Sequence, residues 1–451
     1  VRRAVAPLLA ITVALVLADS AIVTLALPDI LQTLDASVGE VAWVLISFNL
    51  VLALAAVPTA LALARVPARV LTAVGIAAFA GTSAWCAVAD SIEVLILARC
   101  LQALGGALAL IGSLELLTEE YGERRGVATW VTAGVVGTAT GPVVGGLLTE
   151  AISWQAIFVV QVPFAVLAVP AALAVRTAAV PTEPAPDRHR PAVRANVTLA
   201  LLSAALTAAL FLLVLLLVEG WRHSPATAAL TVSVVSVAAL AAAPLARLLR
   251  APAPVETAVG SFLVAGGLVG LAIPPSAHLA WSIAPQALVG LGLGLTVDRL
   301  TAQAMELRLP RADHAAWTIG ARHLGVVVGL AILTPVFTGD LREAEVPAQE
   351  AITALVIDAP LAPDSKIAVA EALGDELVAQ QGQVVELSRA FAALDLPPDE
   401  RSAALRLERD LDEQLEAAAT RAFRDSFLLG AALALLAMLT VLLPGGRRWR
   451  R

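Results

Sequence analysis

The sequence predicts an all-α polytopic membrane protein: about twelve transmembrane helices in two six-helix bundles, with an extracytoplasmic helical insertion before the last span. Three observations carry this reading. Of 451 residues, 59% are hydrophobic and 15% are charged, a balance too apolar for a chain folded in water. Apolar stretches of about 20 residues recur from end to end, each long enough to cross roughly 30 Å of hydrocarbon. Backbone polar groups in lipid must be satisfied within their own segment, so these stretches are helices. The third observation is that arginines fall in every second loop.

The first span, 7–28, follows Arg2 and Arg3 and imitates a secretory leader, but its apolar run is too long and no small-x-small cleavage site follows it. Spans at 42–63, 70–89, 92–115, 127–149 and 155–175 complete a first bundle, 1–176. Arg65/Arg69 and Arg124/Arg125 share a side with the N-terminus, whereas "PDILQTLDASVGE", "ADSIE" and "TEAIS" on the other side carry no basic residue. The proline-rich, charged "VPTEPAPDRHRPAVR" marks a cytoplasmic linker, 177–195, holding Arg188, Arg190 and Arg194. Spans at 196–218, 226–248, 257–274, 279–301 and 314–337 form the second bundle, 196–338, with Arg247/Arg250 and Arg308/Arg311 in its inner loops and Arg222 alone in its outer ones. Residues 339–422 interrupt the run of short loops, and their apolar residues at helical spacing predict an acidic helical cap that leads into the last span. That span, 423–443, and the tail with Arg447, Arg448, Arg450 and Arg451 make up 423–451. Because positive loops mark the cytoplasm, both termini are expected inside. Heavy Ala and Arg usage with one lysine, Lys366, is compatible with a GC-rich bacterial genome, which suggests a multi-pass protein of a bacterial plasma membrane.

Several classes of function are excluded. A net charge of -7 without basic clusters among aromatics argues against nucleic acid as a partner. Cys86 and Cys100 both fall inside spans, so neither a disulfide framework nor a cysteine metal site is indicated. No P-loop, Rossmann glycine pattern, HExxH or nucleophile elbow occurs, so the chain does not read as an enzyme or as the holder of a cofactor. Without an ATP site, uphill transport must draw on an ion gradient. Trp43, Trp85, Trp130 and Trp154 lie near span ends and read as interfacial belt residues.

The fifth span contains "GTATGPVVGG", in which Gly137, Gly141 and Gly145 recur every four residues and drift only about 40° per step, leaving a flat face for close approach of another helix. Gly134, Pro142 and Gly146 flank that face, and in lipid the carbonyls freed by the proline find other partners. "GVVGTATGPVVGGLL" resembles the antiporter motif of the major facilitator superfamily. "LARCLQALGGALAL" resembles its fourth-span motif through Arg99, Gln102 and Gly105, and "LADSAIVTLALPDI" its first-span motif through Asp19, Ala26 and Pro28. "SWQAIFVVQVPFA", "VEGWRHSP", "GLGLGL" and "GARHLGVVVGLAI" are similar to the drug:proton antiporter branch that usually has fourteen spans. Here there are twelve, the second-to-third loop "ALALARVPARV" lacks the family's acid, and "QVP" replaces "NVP". The resemblance implies two bundles rocking about a central cavity and proton-coupled efflux of a hydrophobic small molecule by a monomer.

Among the intramembrane charges, Asp19 lies about 13 Å and Arg99 about 10 Å below the outer surface, at nearly one level. A lone charge there costs at least about 2.5 to 3.5 kcal/mol, so each is expected to face a partner or a wet cavity. The pair is the candidate for proton coupling: Arg99 holds Asp19 ionised, and protonation weakens the link. A static ion pair that fixes helix packing is the alternative. Glu115 reads as an anchor at the cytoplasmic boundary; Asp298 and Arg299 as a cytoplasmic gate pair or interfacial charges; Arg322 as deep enough to matter yet able to snorkel; and His323 as a packing residue or a second proton site. Proton-coupled uptake on the same fold, or a transporter-like sensor or scaffold acting through the cap, are the other functions to be weighed.

Overall fold

The computed structural model describes residues 2–175, 190–249, 251–305, 309–379, 387–392, 394, 397–398 and 400–442. The predicted linker lies outside the described residues as far as 189, and so does the tail from 443. Twelve helices among the described residues are long and apolar enough to cross a membrane. They are α1 (Arg2–Thr33), α2 (Val38–Ala62), α3 (Ala68–Ala87), α4 (Ile92–Tyr121), α5 (Glu123–Ala151), α6 (Ala156–Ala174), α7 (Val193–Gly220), α8 (Pro225–Leu249), α9 (Ala253–Ala272), α10 (Leu279–Met305), α11 (Arg311–Asp358) and, after the short α12 (Pro363–Ala379) and α13 (Leu387–Ala392), α14 (Arg401–Leu442).

Local chemistry sets the turns between them. Ser37 and Glu40 close a capping box on α2, with the Glu40 N–H donating to Ser37 Oγ at 3.3 Å and the Ser37 N–H donating to Glu40 Oε2 at 2.8 Å. Ser91 caps α4 in the same sense through the Val94 N–H. Between α4 and α5 a single residue, Gly122, reverses the chain at φ 77°, a backbone region that disfavours any side chain.

The packing repeats itself. In the first half α1 lies against α4, α5 and α6, α3 against α4 and α6, and α2 against α4. In the second half α7 lies against α10, α11 and α14, α9 against α10 and α14, and α8 against α10, the same scheme displaced by six spans. The halves meet where α2 crosses α11 and α5 crosses α8. Small residues permit these approaches: a Cβ on Gly137 would come within 2.2 Å of Ala14 O, and one on Gly145 within 2.4 Å of Ile22 O, so α5 rides directly on the backbone of α1.

One expectation is extended and one is corrected. The helix that carries the eleventh span, read as 314–337, runs on to Asp358, because falling hydropathy marks where lipid ends and not where a helix stops. Trp43 and Trp85 do sit on the outer surface, yet Trp130 and Trp154 are packed inside. Trp130 donates from Nε1 to Leu110 O at 3.0 Å, and Trp154 meets Phe158 edge to face.

The end of α11, the helices α12 and α13 and the start of α14 share a small apolar core of their own, which includes Val356, Val369, Leu373, Leu407 and Leu411. α14 leaves this core and continues without a break into the bundle. Trp221, after α7, donates to Thr420 Oγ1 at 2.9 Å, and Arg222 pairs with Asp412 at 2.8 Å, tying the cap to the α7–α8 turn. That ion pair is largely exposed and contributes at most about 1 kcal/mol. Leu411→Ala, at a fully buried position, should instead cost the cap about 2–5 kcal/mol and speed its limited proteolysis, whereas Arg222→Ala should barely change the digestion rate.

Candidate coupling site and central cavity

On α4, Arg99 and Gln102 are three residues apart and share a face, and Gly105 one turn further lets α3 close in, since a Cβ there would lie 2.6 Å from Phe79 N. This face is turned toward α1. Arg99 Nη1 forms an ion pair with Asp19 Oδ2, and both side chains are wholly shielded from solvent. The same Nη1 donates to Gln102 Oε1 at 2.6 Å, while Nε donates to Val44 O at 3.4 Å. The guanidinium carbon lies 4.0 Å from the Phe48 ring centroid and 5.7 Å from that of Phe158.

The carboxylate is equally well supplied. Asp19 Oδ1 accepts from Gln102 Nε2 at 3.3 Å and from Gln161 Nε2 at 3.1 Å. Gln102 Nε2 also donates to Ser83 Oγ at 2.8 Å, and Gln161 Nε2 to Ile157 O at 3.0 Å, so both amides are held from α3 and α6. Burying two charges is costly unless they are paired and hydrogen-bonded; here the charges are paired and the carboxylate accepts from neutral donors, while Arg99 Nη2 has no hydrogen-bond partner among the described residues. Gln161 is the residue that sequence reasoning missed as a member of the site. Its signal was present in "QVP", where the longer amide was counted as a departure although it retains an N–H donor.

One residue beyond Asp19 the chain reaches a cavity between the halves, lined from α1, α2, α5, α7 and α11. Its polar lining comes from Ser20, Thr24, Asn49, Thr138, Ser203 and Thr207, its apolar lining from Leu17, Ala21, Leu45, Leu206, Leu210, Phe211 and Val326, and Arg322 and His323 complete it. Asn49 Oδ1 accepts from Ser20 Oγ at 3.3 Å and lies 2.6 Å from His323 Nδ1, which joins α1, α2 and α11 across the cavity. α7 borders it with a π-turn over Ala208–Leu212, a widening of the helix that is common at functional sites.

The remaining candidates are placed as follows. Gly134, Gly137, Gly141 and Gly145 face α1, whereas Gly146 faces Ala229 of α8, in the other half, and Pro142 stays within the unbroken α5. Asp298 and Arg299 do not form a pair, because neighbouring residues on a helix point about 100° apart. Arg299 Nη2 lies 3.1 Å from the buried Glu256 Oε2 of α9, and Asp298 feels Arg322 through space. Glu115 is half-buried near Arg311 and Asp313 of α11, and Arg311 forms a 2.6 Å ion pair with Glu123 of α5, another link between the halves.

Comparison with known proteins agrees with this architecture. The solved inward-facing structure of a bacterial homolog of the human lysosomal transporter Spinster superposes with a TM-score of 0.61 at 16% identity in its unoccupied form, over 98% of both chains. The occupied form gives 0.63 at 15%, over 98% of this chain and 96% of that one. Among curated relatives, the tetracenomycin C resistance and export protein of Streptomyces glaucescens is 36% identical over 171 residues, 37% of this chain and 32% of that protein. The multidrug efflux pump LfrA of Mycolicibacterium smegmatis is 35% identical over 159 residues, 34% of this chain and 32% of the pump. The chain therefore spans about a third of the length of the curated relatives it matches. Residues 9–334 match the sequence profile of the Major Facilitator Superfamily from the first span to the eleventh, and with twelve membrane helices in this arrangement the chain is a multi-pass membrane protein that belongs to that transporter family, which is not one of enzymes.

Proposed function

We propose that the protein exports hydrophobic small molecules in exchange for protons by alternating access, with Asp19 as the proton carrier and both termini in the cytoplasm. The observation that carries this reading is the fully buried Asp19–Arg99 pair, wrapped in neutral amides and one residue from the cavity wall. Protonating Asp19 cancels its attraction to Arg99 and frees α1 from α4. α1 also carries α5 along the glycine seam, and α5 meets α8 of the other half, so a change of charge at one site biases the contact between the halves. Efflux, as opposed to uptake, is supported by the glycine–proline pattern of α5 and by the export and efflux relatives.

An efflux screen of varied lipophilic compounds in a pump-deficient host supplies the substrate, and vesicles supply the test. With the protein reconstituted, a pH gradient should drive that substrate against the proton flow, and reversing the gradient should reverse its movement. Movement in the same direction as protons identifies an uptake symporter instead.

A further inference from the structure

Each of four other arginines has a carboxylate within ion-pair distance: Arg99 has Asp19, Arg222 has Asp412, Arg299 has Glu256 and Arg311 has Glu123. Arg322 differs. It is half-buried, it lines the central cavity, and no hydrogen bond or ion pair joins it to another described residue. The acid that acts on it, Asp298 of α10, does so through space and is not part of the cavity wall. No residue of that wall is acidic, and its other titratable group, His323, is engaged with Asn49 Oδ1. The charge displayed to the cavity is therefore positive.

A guanidinium presents planar paired N–H donors that match a carboxylate or another delocalised anion, and it stays charged at any working pH. Within a membrane an arginine is tolerated where it meets a wet cavity or an opposite charge. The same cavity is lined by the hydroxyl-bearing Ser20 and Thr207 and by the apolar Leu206, Leu210 and Phe211. We infer that the cavity takes an amphiphilic organic anion, a carboxylate or an ionised phenol, with its charge on Arg322 and its hydrocarbon body against Leu206, Leu210 and Phe211 of α7. The inference rests on the transport reading above for its biological meaning, but the site itself can be tested by binding alone.

Three probes with one ring system isolate the charge: 2-naphthoate, neutral 2-naphthamide and cationic 2-naphthylmethylammonium, measured by equilibrium dialysis with the full chain in a non-ionic detergent. 2-Naphthoate should bind at least about tenfold more tightly than 2-naphthamide, and the cation more weakly than either, as expected for a charge-assisted contact in a partly dry site. Arg322→Gln should bring naphthoate down to the naphthamide level while leaving naphthamide binding as it was, which also reports that the cavity is intact. Arg322→Lys should keep part of the preference, because the charge remains while the fork is lost. Asp298→Asn should tighten naphthoate binding severalfold, since it removes a negative charge that competes for Arg322. This last arm and the wild-type ranking decide the matter even if Arg322→Gln does not fold. Equal binding of the three probes, preference for the cation, no binding of naphthoate, or an anion preference that survives Arg322→Gln would each overturn the inference. None of these readings needs a pH gradient, so a failed anion site leaves proton coupling standing, and failed coupling leaves the anion site standing.

Discussion

Asp19→Asn should abolish uphill transport driven by a pH gradient while downhill exchange of substrate continues. One pH unit is worth about 1.4 kcal/mol per proton, so a carrier exchanging one proton can hold about a tenfold substrate ratio, which the variant should lose entirely. Asparagine is close to aspartate in shape and can still accept from Gln102 and Gln161, but it neither carries charge nor takes up a proton in this range. The variant also leaves Arg99 buried without its counterion, at a cost of about 3–5 kcal/mol. Stability and coupling must therefore be read separately. Adding Arg99→Gln to Asp19→Asn removes the stranded charge and should restore much of the thermal stability with coupling still absent. A purely structural ion pair makes the opposite forecast, in which the neutral double variant recovers both.

Gly137→Ala is expected to be the most damaging small change in the seam between α1 and α5. The added carbon would stand 2.2 Å from Ala14 O and 2.7 Å from Ala14 Cα, and these are backbone atoms that no rotamer change can move aside. The two helices would have to part by the better part of an ångström, at a cost of about 1–3 kcal/mol, and Gly137→Leu should cost more. Gly81→Ala in α3 and Gly266→Ala in α9 are the matched controls, because a Cβ at either position meets nothing within 4 Å. Thermal unfolding of the purified chain checks the difference. A lowered midpoint for Gly137→Ala beside unchanged midpoints for the controls is the expected result, and equal midpoints would remove the seam from the account.

Much of this was legible in the sequence because lipid imposes simple rules. Hydropathy located twelve spans, since a helix in hydrocarbon has no other way to satisfy its backbone. Asp19 and Arg99 stand out because a charge is rare inside a membrane, counting residues from the span ends sets them at nearly one depth, and the structure pairs them. The four-residue glycine period likewise named the face of α5 that α1 covers. What the sequence hid were neutral polar residues and pairings between distant spans. Gln161, Ser83 and Asn49 carry no charge to draw the eye, and their roles follow from which helices neighbour one another. Arg299 was linked in the sequence reading with its neighbour Asp298, yet its partner Glu256 lies 43 residues earlier on α9. Outside lipid the rules relax, so hydropathy did not reveal that α11 continues through 48 residues into the cap.

The central claim is that Asp19 exchanges a proton for substrate within a single cycle. Its most direct test is proton movement in proteoliposomes with no imposed pH gradient, recorded with a lumenal pH dye while the exported compound flows down its own gradient. Wild-type protein should move protons opposite to the substrate, and Asp19→Asn should carry substrate with no change of lumenal pH. The same pH change in both proteins, or none in the wild type, would contradict the account.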